Sequence, residues 1–202
     1  MNAGEEKEIS TFIVEQQKEL GEILTSFEFC NKYIVKTEDG TPIYLAEELG
    51  GRTLMRNIFR SMRAFTIEVR DADTRELVLK IERPFKLIFS EIFVYNSAND
   101  FLGSVKLKYG FCSFNFIVND KHNNQVLRLC WSFFKPWTLL IKEGEAEVGK
   151  ILKKWSGLAK ELFTDADNFA IMFKKSLSSD VKSLLLGAVF LVDIQMFEKR
   201  PS

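Results

Sequence analysis

The chain has 202 residues, which is enough for one substantial domain. Its 28 lysines and arginines balance its 28 aspartates and glutamates, so the sequence offers no overall attraction to nucleic acid. Hydrophobic residues at 46% and charged residues at 28% argue against disorder. The three cysteines are too scattered for a disulfide framework or a zinc site, and residues 1–10 lack the apolar run of a secretory signal. We therefore expect one globular domain that lies in, or faces, a reducing compartment.

The N-terminal segment has a helical pattern. Residues 5–27 place apolar side chains, Phe12 and Ile13 among them, at helical spacing between glutamate, glutamine and lysine. Such a pattern is typical of an amphipathic helix that docks on a core. We accordingly predict a helical segment at 1–26, followed by a single main domain at 27–202.

The middle of the chain has a different pattern, with short runs rich in Val, Ile, Phe and Tyr between turn residues. This spacing predicts antiparallel strands joined by hairpins, in a sandwich or a closed barrel. Eleven strands are predicted, at 31–36, 43–47, 63–70, 76–83, 85–95, 101–109, 112–118, 125–133, 137–142, 148–155 and 168–173.

The last element, at 181–197, is apolar on almost every side, and Ser178 stands where a helix N-cap belongs. A helix that is hydrophobic all round is buried in protein or in lipid. This one would span only about 22 Å, whereas the hydrocarbon core of a bilayer is about 30 Å thick. Asp193, like Lys182, would need a polar partner. We predict a protein-buried helix within 179–199 in preference to a membrane span.

Several motifs resemble those of the phospholipid scramblase family, in the family's order. They lie at 27–36, 44–48, 63–66, 81–84, 148–155 and 163–169, and the apolar terminal helix follows them. The family is similar in fold to the tubby C-terminal domain. The resemblance thus implies a mainly β protein, a roughly twelve-stranded antiparallel closed β-barrel around a buried hydrophobic C-terminal helix.

The resemblance also implies a function in calcium-dependent, bidirectional movement of phospholipids between membrane leaflets, or in its regulation. The implied partners are phospholipid membranes, anionic lipids and other proteins. The implied location is the cytosolic face of membranes, the plasma membrane first, with the cytoplasm and nucleus as further sites. The single histidine, and the lack of a G-x-S-x-G or Walker motif, predict no covalent chemistry. The alternative is a membrane-surface binding or adaptor module that does not transport lipid.

A calcium site is implied by the resemblance alone, in the family's segment Asp165, Asp167, Phe169, Ile171 and Phe173. Calcium takes six to eight oxygen ligands, so two aspartates supply only part of a shell. The twelfth place, usually acidic in the family, holds Ser176 here, which weakens any calcium affinity. The alternative is that the aspartates cap a turn before a strand whose apolar side chains alternate into the core.

Four arginines recur every three or four residues among apolar side chains, at Arg52, Arg56, Arg60 and Arg63. As a helix, this segment would be basic on one face and apolar on the other, which is typical of binding to a membrane of anionic lipid. The alternative is a loop with solvated arginines.

A second basic segment matches a nonclassical nuclear import signal of some family members. It comprises Lys150, Lys153, Lys154 and Trp155. The alternative, which we favour, is an edge strand that lysines protect from pairing.

Overall fold

A computed structural model describes residues 10–17, 31–49, 64–85, 90–109, 114–131, 137–154 and 168–197. Within these residues, twelve strands precede one helix, α1 (Ser179–Val192), which continues as a π-helical turn, Asp193–Phe197. The strands are β1 (Thr11–Gln17), β2 (Lys32–Lys36), β3 (Pro42–Leu49), β4 (Phe65–Asp71), β5 (Leu77–Arg83), β6 (Glu91–Asn96), β7 (Phe101–Tyr109), β8 (Phe114–Asp120), β9 (Gln125–Trp131), β10 (Thr138–Glu143), β11 (Ala146–Lys154) and β12 (Asn168–Phe173).

All twelve strands form one closed antiparallel barrel in chain order. β1 closes it by pairing with β12 on one side and with β2 on the other. A closed sheet has no edge strand, so every strand finds backbone partners on both sides. The predicted fold class is confirmed, and so are the eleven predicted strands, with shifted ends. The largest shift is at β6, which begins at Glu91 and not at Phe85.

The predicted N-terminal helix is wrong for the part that the structure describes, because Thr11–Gln17 is strand β1. Phe12 and Val14 point into the core and Ile13 points away from it, which is the alternation of a strand. Pairing with β12 and β2 closes the barrel, and this gain outweighs the local helical spacing. The remainder of the predicted segment lies outside the described residues.

Helix α1 fills the barrel. Ser178 caps it by accepting a hydrogen bond from the backbone N–H of Val181, as predicted, and every residue from 184 to 192 is buried. The inward side chains of the strands pack around it in one core, with Ile81, Ile92 and Val105 among them. The prediction of a protein-buried helix is confirmed. The described part of the chain contains no helix that is both long and apolar enough to cross a membrane.

The helix lies close to the wall at Gly187. A Cβ atom there would lie 2.9 Å from Ile92 Cδ1 and 3.1 Å from Val94 Cγ2. Both distances are shorter than a normal contact, so a side chain would push the helix away from strand β6 or displace the side chains of that strand. The small residue therefore sets how closely the helix packs against this side of the barrel.

The two ends of the barrel differ. At the end where the helix begins, the connections are the short turns 37–41, 72–76, 97–100, 121–124 and 144–145; we call this the turn end. The opposite end receives the last residues of the odd-numbered strands and of the helix, which finishes at Asp193; we call this the Asp193 end.

We predict that Phe190→Ala lowers the free energy of unfolding by about 3–5 kcal/mol, because it leaves a cavity between helix and wall. The Phe190 ring is fully buried and lies 4.8 Å from the ring of Tyr33, centroid to centroid. Urea denaturation measures the change. The matched control is Phe114→Ala, the same truncation at a side chain that is 41% exposed, with an expected cost below about 1 kcal/mol. Equal losses in the two variants would show that the helix is not the core.

Candidate functional site

A carboxylate is buried inside the barrel where the helix ends. Asp193 accepts a hydrogen bond of 2.9 Å from the hydroxyl of Tyr33 in β2. Its other oxygen lies 3.4 Å from the ammonium of Lys153 in β11. All three side chains are buried, and the Lys153 ammonium also lies 4.8 Å from the ring centre of Phe169. Asp193 thus has the polar partner that the sequence predicted it to need. That partner is Lys153 in β11, and Tyr33 in β2 makes a second polar contact.

The positive charge of Lys153 compensates two sources of negative charge at this position. The backbone N–H of Asp193 still bonds to carbonyls of the last helical turn, so its carboxylate adds negative charge to a helix end that is already negative. A buried carboxylate is costly unless it is both paired and hydrogen-bonded. Lys153 compensates the carboxylate and the helix terminus together, and this contact fixes the helix end against β2 and β11.

Further polar contacts lie beside this pair. Arg83, at the end of β5, donates to Gln195 in the π-helical turn at 3.4 Å. Gln16 donates to Asn31 at 3.1 Å, and Asn31 donates in turn to the buried Glu48 at 2.9 Å. The apolar core therefore ends in a layer of hydrogen-bonded polar side chains at the Asp193 end. This layer joins β1, β2, β3 and β5 to one another or to the helix end.

Large apolar side chains are exposed around the same end. Leu49 ends β3, Tyr109 ends β7, Phe114 begins β8, Trp137 precedes β10, and Phe85 follows β5. Their exposed fractions lie between 39% and 54%, and the rings of Tyr109 and Phe114 meet edge to face. We call these five residues the apolar rim. The sequence pattern does not single out these residues, although each one stands at a strand end beside a connection on the same side of the barrel.

The predicted calcium segment is described only in part. Asp165 and Asp167 lie outside the described residues. Phe169 and Ile171 are buried in the core, and β12 pairs with β1 and β11 on its two sides. The side chains of Phe169 and Ile171 have no oxygen to offer a calcium ion, and their burial fits the core alternative. Within the described part of the chain, no group of three or more His, Cys, Asp or Glu is placed to hold a metal ion.

The two predicted basic segments have different outcomes. Arg52, Arg56, Arg60 and Arg63 lie outside the described residues. For the lysine segment, the favoured edge strand is wrong, because β11 pairs with both β10 and β12 and the closed barrel has no edge.

Within that segment, Lys153 points inward to Asp193, while Lys150 remains partly exposed on the outer wall. The backbone of Lys154 continues β11, and Trp155 lies outside the described residues. The structure thus separates lysines that looked equivalent in the sequence.

Comparison with known proteins identifies relatives for almost the whole chain. A sequence model described as Scramblase matches residues 6–199. Phospholipid scramblase 1 of Mus musculus is 35% identical over 95% of this chain and 62% of its own length. Phospholipid scramblase 2 of Bos taurus is 34% identical over 95% of this chain and 69% of its own length.

The chain spans about three fifths of the length of the mouse and rat phospholipid scramblase 1 proteins that it matches. No solved structure matches it.

We predict that Lys153→Met lowers the free energy of unfolding by about 3–5 kcal/mol, because it leaves the buried Asp193 carboxylate without its counter-charge. The double variant Lys153→Met with Asp193→Leu should recover most of that loss, since the uncompensated charge is then removed as well. Lys150→Met is the matched control on the same strand, with an expected change within about 0.5 kcal/mol. A double variant less stable than Lys153→Met alone would refute the pairing.

Proposed function

The chain belongs to the scramblase family, and from this premise we propose that it takes part in moving phospholipids between membrane leaflets, directly or as a regulator. The observation that carries the proposal is the family match over residues 6–199, which includes all twelve strands and the helix. The proposed action needs no covalent chemistry. The proposed partners are phospholipid membranes, anionic lipids among them, and proteins that act there.

The filled barrel restricts how such movement can occur. A phospholipid headgroup that crosses a bilayer needs a path where its polar groups meet polar partners, because bare hydrocarbon makes the crossing costly. The described interior of the barrel is occupied by the side chains of α1 and of the inward strand positions. A lipid path therefore lies along the outside of the barrel, or between copies of the protein.

A membrane-surface binding module is the second candidate function. Two observations favour it: the apolar rim is exposed at one end of the barrel, and the interior is packed with side chains. In this alternative the protein binds anionic lipid or a protein partner at the bilayer surface and does not move lipid. The cytosolic face of the plasma membrane is the proposed location in either case, with the cytoplasm and nucleus as further sites.

Three finer proposals remain for residues identified in the sequence. Calcium is the proposed cofactor, and Asp165 and Asp167 would hold it. The arginine segment, from Arg52 to Arg63, is a proposed contact for anionic lipid, and its neighbours Leu49 and Ala64 lie at the Asp193 end. For nuclear import, Lys150 is the described lysine that the folded barrel presents, since Lys153 is buried.

Reconstitution tests the proposal. Purified full-length chain goes into liposomes that carry a fluorescent phospholipid in both leaflets, and a membrane-impermeant reductant then bleaches the outer leaflet. If the protein moves lipid, more than half of the fluorescence is lost, because inner-leaflet lipid reaches the reductant. Loss limited to half, with the protein bound to the liposomes, would contradict transport and support the surface module.

The same liposomes test calcium and the arginines. If calcium acts through the aspartates, Asp165→Asn with Asp167→Asn abolishes any acceleration by calcium and leaves the rate without calcium unchanged. If the arginines attract anionic lipid, Arg56→Glu with Arg60→Glu weakens liposome binding most at low salt, since surface charge is screened within about 10 Å at 0.1 M salt. Asp73→Asn with Glu76→Gln, at the turn end, is the control for an altered charge.

A further inference from the structure

The apolar rim is confined to one end of the barrel. Among the residues that the structure describes, all the large hydrophobic side chains that are exposed belong to it: Leu49, Phe85, Tyr109, Phe114 and Trp137. The remaining large apolar side chains are buried or partly buried. A cluster of exposed apolar groups at one end of a molecule is typical of an interaction surface, whereas single scattered ones need no explanation.

The composition of the rim favours lipid as its occupant. Trp137 and Tyr109 combine an apolar ring with one polar group, and such side chains concentrate at the level of lipid headgroups. Phe85, Phe114 and Leu49 have no polar group and gain most by entering the acyl boundary. The rim therefore combines side chains that suit the headgroup layer of a bilayer with side chains that suit its acyl boundary.

The charged residues of the turn end indicate which end of the barrel faces away from a membrane. The turns of the opposite end carry six acids, Glu38, Asp39, Asp73, Glu76, Asp100 and Glu145, against four bases, Arg75, Lys121, Lys174 and Lys175. Asp71 and Asp120 add two more carboxylates beside these turns, and backbone N–H donors, those of Thr74 and of Asn124 respectively, lower the pKa of each carboxyl. An anionic bilayer therefore repels the turn end.

At the Asp193 end, a positive charge lies beside the rim. Lys108 is exposed on β7 directly beside Tyr109 of the rim. Lys106, on the same strand, pairs with Glu91 at 2.8 Å, so Lys108 is the positive charge next to the rim that this pair leaves available. A cation beside an interfacial tyrosine is favourable at the surface of anionic lipid, where each adds about 1 kcal/mol.

We propose that the apolar rim is the surface by which the barrel docks on a lipid bilayer, with the turn end directed away from it. The inference rests on the membrane partner of the proposed function and specifies which end of the protein meets that membrane. It is independent of whether lipid is moved. The polar layer also reaches the rim, since Arg83, two residues before Phe85, donates to Gln195 beyond the helix end.

Flotation with vesicles tests the rim. The full-length chain is mixed with vesicles of phosphatidylcholine and phosphatidylserine, and the bound fraction is measured against lipid concentration. Phe114→Ser with Trp137→Ser should weaken binding by at least about tenfold, because two apolar groups no longer enter the interface. The matched control is Tyr95→Ser with Phe101→Ser, an aromatic pair near the turn end whose ring centres lie 5.7 Å apart, and it should bind like the parent. Near-UV circular dichroism verifies that both variants are folded.

Tryptophan fluorescence is a second measurement, which detects contact between the rim and the lipid directly. In a variant with Trp131→Phe and Trp155→Phe, Trp137 is the one tryptophan left. On vesicle binding its emission should shift to the blue and be quenched by lipids brominated in the acyl chains.

Vesicle binding by the parent chain with equal binding by the rim variant, and no quenching of Trp137, would overturn the inference while leaving the proposed function intact. A rim variant that loses self-association in sedimentation velocity but keeps full vesicle binding would also overturn it, because the rim would then bind a second copy of the chain.

Discussion

The structure depends on one enclosure, in which a helix that is apolar on every side is surrounded by a sheet closed on itself. Neither part is stable in water alone, because the helix has no polar face and the strands have one apolar face each. Together they bury both surfaces and leave no strand edge. The position of the helix within the barrel is then set by Gly187 at the wall and by Asp193 at its end.

The same enclosure bears on function. Because the helix occupies the interior, the barrel presents only its outer wall and its two ends to other molecules. The turn end is short-looped and acidic, whereas the Asp193 end combines a rigid polar layer with exposed apolar side chains. A partner therefore meets this barrel at an outer surface and not in a lumen, and the exposed apolar side chains at the Asp193 end provide one such surface.

Much of the fold was predictable because its signals are local. Alternation and turn residues located eleven strands, and the uniform apolarity of 181–197 predicted its burial. β1 was missed because Phe12 and Ile13 suit either a helix or a strand, and only pairing with β12, far along the chain, decides between them. A need for a partner at Asp193 was visible, but Lys153 could not be distinguished from Lys150, since which lysine points inward depends on register and a bulge in β10–β11 pairing. The rim depends on where strands end, which patterns locate poorly.

Hydrogen exchange of the backbone amides in α1, measured on the free protein and on the vesicle-bound protein, tests the enclosure most directly. If the helix is the core of a closed barrel, the amides of residues 185–192 exchange only through global unfolding, as slowly as those of the central strands, and membrane binding leaves their rates unchanged. Exchange of these amides that is much faster than that of the strands, or that changes when the protein binds vesicles, would contradict the account, because the helix would then leave the barrel.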